Sequence, residues 1–183
     1  MPQFVAFMRA INVGGRFVKM VKLAESYSKL GYTDVSTFIN SGNVLFRTSK
    51  RSAPKIEAHV EQHLGALIGF ESDVFLRSPS EVAAVATRAA NLLASNEALK
   101  EVNVAFLAAP LDEDAQAVLA GFETDVDAFE SDGREVYWLC TVRQSDSRFS
   151  NAAFERKLLV RATFRRVSML QRLAAQLALA DGG

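Results

Sequence analysis

The feature that most constrains the fold of this chain is an order of predicted elements that occurs twice. A strand, a helix, a hairpin and a second helix are predicted from Gln3 onward, and the same order restarts at Val102. The period is about ninety residues, whereas solenoid repeats run to roughly 20 to 50 residues. The sequence therefore predicts a duplicated α+β unit rather than a solenoid.

The first copy begins with a strand that is apolar on both faces. In Gln3 to Arg9 (QFVAFMR), Phe4, Ala6 and Met8 alternate with Val5 and Phe7, which is typical of a central strand. Two β-branched and aromatic runs, Asp34 to Asn40 and Asn43 to Thr48, flank Ser41-Gly42. This spacing predicts a hairpin with a two-residue turn.

Several helix starts carry a capping signal. Ser78, Pro79 and Glu81 have the spacing of a capping box with proline at the first helical position, which predicts a helix to about Leu93. Asp112 is predicted to cap a helix, and Ser150 begins another, with Phe149 and Phe154 spaced as a hydrophobic staple. A last helix is predicted from about Val167 to Ala180.

We therefore expect an α+β protein with two tandem ferredoxin-like subdomains of the βαββαβ type, their antiparallel sheets packed together. Residues 1–93 form the first predicted subdomain, and residues 94–183 form the second, with an extra terminal helix. Because both helices of such a unit lie on one face, the other face needs a cover, from the second subdomain or from a partner chain.

Composition indicates a compact cytoplasmic protein. Apolar residues make up 49% of the chain and charged residues 23%, which argues against disorder and fibrous classes. Apolar runs are short, and the N-terminus lacks the pattern of a secretory signal, so no membrane association is expected. A lone cysteine, Cys140, cannot form an internal disulfide.

The charges are segregated although the formal net charge is zero. The segment from Met1 to Thr33 contains five basic residues and one acid, and the segment from Glu155 to Arg172 contains six basic residues and one acid. Between them, the segment from Asp112 to Glu135 contains nine acids and one arginine. The two basic segments would attract anions if they met in space. Solvated faces that neutralise one another are the simpler alternative.

Two polar loops are expected at one end of the first sheet, because the loop after its first strand and the hairpin end at the same edge. This rim would contain residues from both loops: Arg9, Asn12, Gly14, Gly15, Arg16, Asn40, Ser41, Gly42 and Asn43. Glycines allow successive N–H groups to point at one spot, and the following helix adds a partial positive charge. An anion could bind there.

A simpler interpretation of the same loops is that Gly14-Gly15 only turns the chain and the asparagines bond within their own loops. The loop also fails both standard nucleotide tests. INVGGRFVK has neither the G-x-G-x-x-G spacing of dinucleotide-binding folds nor the P-loop spacing. The two interpretations stay open at this point.

The motifs INVGGRFVKM and INSGNVLF, with FSNAAFERKL and ATFRR farther on, resemble the bacterial domain-of-unknown-function family 1697. The resemblance implies two tandem ferredoxin-like subdomains and supplies no reaction. It marks as a motif set Arg9, Asn12, Gly14, Gly15, Ser41, Gly42, Asn43, Ser150 and Arg165. The chain departs from the family pattern at Ala10, where a glycine is usual, and at Arg165-Arg166-Val167, where an arginine-asparagine-tryptophan run is usual.

Other chemistry has weaker signals. His59 and His63 are four residues apart on a predicted helix, but no third ligand is evident, so no metal is predicted. Ser41 has no histidine near it in sequence that could act as its base. No cofactor is implied, and the aromatic residues lie mostly at predicted core positions.

The leading functional hypothesis is binding of a small phosphate- or carboxylate-bearing ligand at the rim, with Arg165 reaching the same anion. An enzyme acting on a phosphorylated small molecule and a nucleic-acid-binding module that uses the basic segments are the alternatives. The sequence leaves the oligomeric state and the reaction, if any, undetermined.

Overall fold

The computed structural model describes residues 1–181 and divides the chain into two compact units, Met1–Val82 and Ala83–Gly183. The first unit contains β1 (Gln3–Met8), α1 (Met20–Lys29), β2 (Thr33–Phe38), β3 (Asn43–Arg47), α2 (Ala53–Ile68) and β4 (Val74–Arg77). The second contains β5 (Glu101–Phe106), α4 (Glu113–Ala120), β6 (Asp127–Asp132), β7 (Glu135–Cys140), a 3-10 turn (Gln144–Asp146), α5 (Asn151–Leu158), β8 (Thr163–Arg166) and α6 (Val167–Asp181). Helix α3 (Pro79–Ser95) contains the division between the units, and the predicted boundary after residue 93 lies near its C-terminal end.

Each unit has a four-stranded antiparallel sheet, and the strand orders correspond. The order is β2-β3-β1-β4 in the first unit and β6-β7-β5-β8 in the second. Two helices connect the strands of each sheet, and a third helix follows the last strand. The predicted α+β fold with two tandem ferredoxin-like subdomains is confirmed.

The core of the first unit lies between its sheet and the helices α1 and α2. Phe4, Ala6 and Met8 of β1 belong to this cluster, together with Leu23 and Tyr27 of α1 and the buried stripe of α2. On the opposite face of the same strand Val5 and Phe7 are fully buried too. Strand β1 is therefore a central strand with both faces covered, as its sequence predicts.

The core of the second unit is strongly aromatic. Trp138 and Phe149 have ring centroids 4.4 Å apart, and Phe149 and Phe154 are 5.9 Å apart. The two phenylalanines flank the start of α5, where Ser150 caps the helix by accepting a hydrogen bond from the Ala153 N–H at 3.2 Å. The predicted hydrophobic staple is therefore present.

Helices pack on both faces of the second sheet. Helices α4 and α5 lie over the face that carries Trp138. On the other face, the Arg88 guanidinium of α3 lies 5.2 Å from the centroid of the Tyr137 ring, and Arg88 also pairs with Glu130 and Asp132 of β6. Helix α6 packs against β5 and β8. The terminal helix α6 therefore packs on the sheet of the second unit.

Both last strands carry a buried arginine at the same place in the repeat. Arg77 lies opposite Val5 in the first sheet, and Arg165 lies opposite Val104 in the second. Each donates a hydrogen bond to the carbonyl oxygen of the residue before it, at 2.7 Å from Arg77 and 2.9 Å from Arg165. The duplication of the fold therefore includes a buried arginine at the same position in both units.

The sequence predicted the first hairpin wrongly in one respect. Strand β2 ends at Phe38 rather than Asn40, so the connection to β3 is residues 39–42 and not a two-residue turn. The reason is the backbone of Ile39, which has a φ of 51° and cannot continue a strand. The capping box at Ser78 and Glu81 was predicted correctly, and both of its hydrogen bonds are present, at 2.7 and 3.2 Å.

Among residues 1–181, no helix combines the length and the apolar character that crossing a bilayer requires.

Candidate functional site

The loop after β1 and the β2–β3 connection meet at one edge of the first sheet. The side-chain Nδ2 of Asn12 donates to the carbonyl oxygen of Asn40 at 3.3 Å, and the Met8 N–H donates to the carbonyl oxygen of Gly42 at 2.9 Å. We call residues 9–19 and 39–43 together the two-loop rim. Their contact follows from the antiparallel topology, which ends both segments at the same edge.

The two glycines of the first loop form a tight turn. The φ angles are 57° at Gly14 and 82° at Gly15, and the Arg16 N–H donates to the Val13 carbonyl at 3.0 Å. These angles explain why glycine is needed at both positions. Within the described chain the N–H groups of Gly14 and Gly15 donate no hydrogen bond, and both residues are exposed. The glycines therefore turn the chain, and the turn also presents two unused donors.

Asn12 connects this turn to the rest of the rim by hydrogen bonds. Its backbone N–H donates to the Arg16 carbonyl at 2.8 Å, and its side-chain Oδ1 accepts from the Val18 N–H at 2.9 Å. With Nδ2 bound to Asn40, the one side chain joins both ends of the turn to the hairpin. Asparagine suits this place because its φ of 58° is in the left-handed region that asparagine tolerates.

Arg9 is tied to the segment that precedes β4. Its Nη1 lies 3.3 Å from Asp73 Oδ2, and its backbone N–H donates to the Asp73 carbonyl at 2.9 Å. The Ser72 hydroxyl donates to the Arg9 carbonyl at 2.7 Å. The arginine therefore already has a carboxylate beside it, which reduces the positive charge that it offers to a ligand.

The exposed cations of the rim are Arg16 and Lys19, and neither forms an ion pair within the part of the chain that the structure describes. Lys19 occupies the N-cap of α1, which has no side-chain cap and no acid in its first turn. The first N–H groups of this helix are thus left without an intrahelical partner. Together with the turn, they give this side of the rim several hydrogen-bond donors and two positive charges.

The corresponding helix of the second unit has the opposite chemistry. Asp112 caps α4 by accepting from the Ala115 N–H at 2.8 Å, and Glu113 and Asp114 lie in the first turn. Its helix start is therefore already satisfied and negatively charged. Of these two corresponding helix starts, that of α1 is uncapped and basic, whereas that of α4 is capped and acidic.

In the hairpin, Asn43 and Gly42 are buried parts of the structure rather than accessible groups. Asn43 is 0% exposed, and its Nδ2 donates to the Phe38 carbonyl at 3.0 Å and to the Ser41 hydroxyl at 2.8 Å. A Cβ atom built on Gly42 would lie 2.7 Å from Cγ1 of Ile11. These residues shape the rim, while Ser41 is half-buried at its surface.

Ser150 and Arg165, the remaining two residues of the predicted site, belong to the second unit. Ser150 caps α5, as described above. Arg165 is buried, and its Nη1 donates to the Thr163 hydroxyl at 2.7 Å. Burial lowers the pKa of its guanidinium to about 10. Both residues thus have structural roles within their own unit, and a contribution to anion binding stays a prediction.

Backbone strain is concentrated at the rim. Ala10, Asn12 and Ile39 have φ angles of 55°, 58° and 51°, and only two other non-glycine residues of the described chain, Asp34 and Leu159, have positive φ. For alanine and isoleucine this region is unfavourable. Glycine would adopt the φ of Ala10 with less strain.

The sequence did not predict several contacts and exposed residues of this surface. Asn40 was predicted at the rim, but its bond to Asn12 and the pairing of Asp73 with Arg9 have no local sequence signal. Phe17 is 72% exposed and Val21 70% exposed, although the aromatic residues were assigned mostly to the core. A signal for Val21 did exist, because it lies outside the α1 stripe of Met20, Leu23, Ala24, Tyr27 and Leu30.

The histidine pair is a local contact of α2. His63 Nδ1 lies 2.8 Å from the His59 carbonyl oxygen, and His59 Nε2 lies 3.4 Å from the Leu30 carbonyl oxygen. Among residues 1–181, no group of three histidine, cysteine, aspartate or glutamate side chains is arranged to hold a metal ion.

Comparison with known proteins gives a family and a fold. The family model described as protein of unknown function DUF1697 matches residues 1–137. A solved structure described as the conserved bacterial protein SP0830 from Streptococcus pneumoniae is 21% identical, with a TM-score of 0.71, and the match covers 97% of this chain and 99% of that one. At this identity the likeness shows the fold alone. No curated protein matches. Because the family model spans well over half of the sequence, the chain belongs to the DUF1697 family of proteins of unknown function.

Proposed function

We propose that this protein, which its sequence predicts to be cytoplasmic, binds a small phosphate- or carboxylate-bearing ligand at the two-loop rim. The N–H groups of Gly14 and Gly15 and of the first turn of α1 donate to the anion. Arg16 and Lys19 supply the positive charge. Such an arrangement of backbone donors and cations is a common way to bind phosphate in proteins.

The observation that carries this proposal is the difference between the two copies of the same loop-to-helix junction. Before α1 there are unused backbone donors, unpaired cations and no cap. Before α4 there is an aspartate cap followed by two acids. A junction needed only for folding would gain stability from a cap, typically about 1 kcal/mol. The uncapped start of α1 is what an external anion would complete.

The strained backbone of the rim supports the same proposal. Ala10 and Ile39 hold unfavourable φ angles on the two sides of the Asn12–Asn40 bond. Residues held in such conformations occur preferentially at ligand sites, because the surrounding structure fixes the geometry in advance. A preformed rim would bind a ligand without the free-energy cost of ordering its loops.

The test is a thermal-melting screen of the full chain against phosphorylated metabolites, nucleotides and di- and tricarboxylates. We expect at least one compound to raise the melting temperature, with the increase largely lost in Arg16→Ala. Arg16 suits the test better than Arg9, because Arg9 pairs with Asp73 and its removal would also change stability. Arg51→Ala is the matched control, since Arg51 is an exposed arginine in the same unit outside the rim.

Two results would contradict the proposal: a screen in which no anion stabilises the protein, and an equal loss of stabilisation in the Arg16 and Arg51 variants. The same screen separates the alternatives. Turnover of a stabilising compound would show an enzyme acting on a phosphorylated small molecule. Affinity for oligonucleotides that falls steeply with salt would show a nucleic-acid-binding module that uses the basic segments.

A further inference from the structure

The surface that runs from the first loop of the two-loop rim into α1 has properties that small-ligand binding does not explain. Val13, Phe17 and Val21 are 55%, 72% and 70% exposed, and they follow one another from the glycine turn into α1. We call these three residues the apolar patch. Exposed large apolar side chains that occur singly are ordinary, but three of them at four-residue intervals along one segment indicate an interaction surface.

The apolar patch continues into a groove between α1 and β2. The groove has a volume of about 600 Å³, and Val21 belongs to both features. Its lining consists of Met20, Val21, Ala24, Glu25, Ser28 and Lys29 from α1 and Val35, Ser36 and Thr37 from β2. Val21, Ala24 and Ser28 are spaced three and four residues apart, so they share one face of the helix. One wall is thus a helix face and the other an edge strand.

Strand β2 is open to further pairing. It is one of the two outer strands of its sheet, and among residues 1–181 it pairs with β3 alone. Its irregular part lies at the start, where the register shifts between Thr33 and Ser36. From Ser36 to Phe38 the pairing with β3 is regular, beside the groove. In an edge strand every second backbone N–H and C=O group points outward, which allows another strand to add.

The charge around the groove and patch is positive. Arg16, Lys19, Lys22 and Lys29 are exposed and form no ion pair within the described residues. Glu25 is the acid of α1, and Asp34 of β2 lies 3.7 Å from Arg47. A partner that carries acidic side chains would therefore be attracted to this surface and oriented on it.

We propose that this surface binds an extended acidic segment of another protein, added as a strand beside β2. Alternate side chains of an added strand point to opposite faces. Apolar side chains of the segment enter the groove and contact Val21 and Ala24, while acidic side chains meet the surrounding lysines. This mode of recognition obtains affinity from backbone pairing and specificity from the alternating side chains.

A second copy of the chain fits this surface less well. Pairing of β2 with β2 about a two-fold axis would bring two basic α1 helices together, which like charges disfavour. Pairing with the acidic α4–β6 region of another copy would join different surfaces, and such contacts tend to propagate into open chains instead of closing. Charge therefore favours a different protein as the partner.

The experiment selects binders from a library of random dodecapeptides displayed on phage, with the full chain as bait. The library is first depleted on the double variant Phe17→Ser, Val21→Ser, which removes the exposed apolar side chains without adding charge beside the rim. We expect the retained peptides to alternate apolar with acidic residues. A synthetic peptide of that sequence should bind the wild-type protein at least about tenfold more tightly than the double variant, a difference of about 1.4 kcal/mol. Binding of the peptide should slow hydrogen exchange of the protein's backbone amides at residues 35–38.

The matched control is Val118→Ser, because Val118 is the exposed valine of α4, the corresponding helix of the second unit. This variant should bind the peptide as the wild-type protein does. Unchanged circular dichroism and melting temperature in both variants would show that the fold is intact. The substitutions leave the donors and cations of the rim in place, so failure here is distinguishable from failure of anion binding.

Four outcomes would overturn the proposal. The first is a selection that yields no binder, and the second is retained peptides that are basic or have no charge bias. The third is a wild-type dimer in sedimentation equilibrium that the double variant abolishes, which would assign the surface to self-association. The fourth is sedimentation of the wild-type protein, but not of the double variant, with phosphatidylserine vesicles, which would assign it to a lipid surface.

Discussion

Asn12 and Asn40 join the two loops of the rim through a hydrogen bond from the side-chain Nδ2 of the first to the backbone carbonyl oxygen of the second, 3.3 Å long. The two residues are 28 positions apart in the sequence. The bond converts two separate turns into one surface whose donors and charges have a fixed spacing.

The contribution of this side chain can be measured with Asn12→Gly. Glycine keeps the φ of 58° without strain but removes the bonds to Asn40 and Val18. We expect a loss of about 1 to 2 kcal/mol in the free energy of unfolding, determined by urea denaturation. Asn12→Ala should lose about 1 kcal/mol more, because alanine adds the cost of the left-handed backbone. Equal stability of the two variants would show that φ at this position is unimportant.

The close approach of the two loops predicts different effects at two glycines with similar backbones. Gly42→Ala would place a Cβ 2.7 Å from Ile11 Cγ1, at a φ of 68°. Gly14→Ala has a φ of 57°, but its Cβ would meet no atom within 4 Å. We expect losses of about 2 to 4 kcal/mol for the first and about 1 kcal/mol for the second, measured by urea denaturation. Similar losses in both would mean that the loops separate easily.

Ala10 offers a substitution that should stabilise the protein. At a φ of 55° glycine is strained less than alanine, so Ala10→Gly should raise the free energy of unfolding by about 0.5 to 1 kcal/mol. The matched control is Ala58→Gly, at an exposed position in the middle of α2, where the same change should cost about 1 kcal/mol. Thermal melting of the two variants should therefore shift in opposite directions.

The burial of the Cys140 thiol predicts a loss of stability at alkaline pH. The thiol is fully buried, and this burial, with the nearby Asp127 carboxylate, raises its pKa from 9.0 to about 12. Because the unfolded thiol ionises first, its contribution to stability is complete below about pH 9 and is lost as pH rises from about 9 to about 12. Between about pH 8 and pH 10 the loss should be about 1 kcal/mol.

The comparison protein for this measurement is Cys140→Ala, which lacks the group. Urea denaturation of both proteins across that interval should show a steeper decline for the wild type. Parallel declines would assign the pH dependence to other groups, of which Tyr32 is one, since burial raises the pKa of its phenol to about 12 as well.

The sequence by itself determined the duplicated α+β architecture and most of the local structure. Caps at Ser78, Asp112 and Ser150, and the central position of β1, depend on residues that are neighbours in the chain or on alternation along one strand. Such signals are local, because a cap or a strand face is defined within a few residues. The end of β2 was missed because a positive φ at an isoleucine has no local sequence signal.

Only the tertiary structure decided what the rim is made of. Topology predicted that the two loops would meet, but the bond from Asn12 to Asn40, the close approach of Gly42 to Ile11 and the pairing of Arg9 with Asp73 involve residues far apart in sequence. The exposure of Phe17 and Val21 was also undetermined, because an apolar residue is buried only when another element happens to cover it. Composition and spacing describe each segment, whereas contact and exposure depend on which segments the fold brings together.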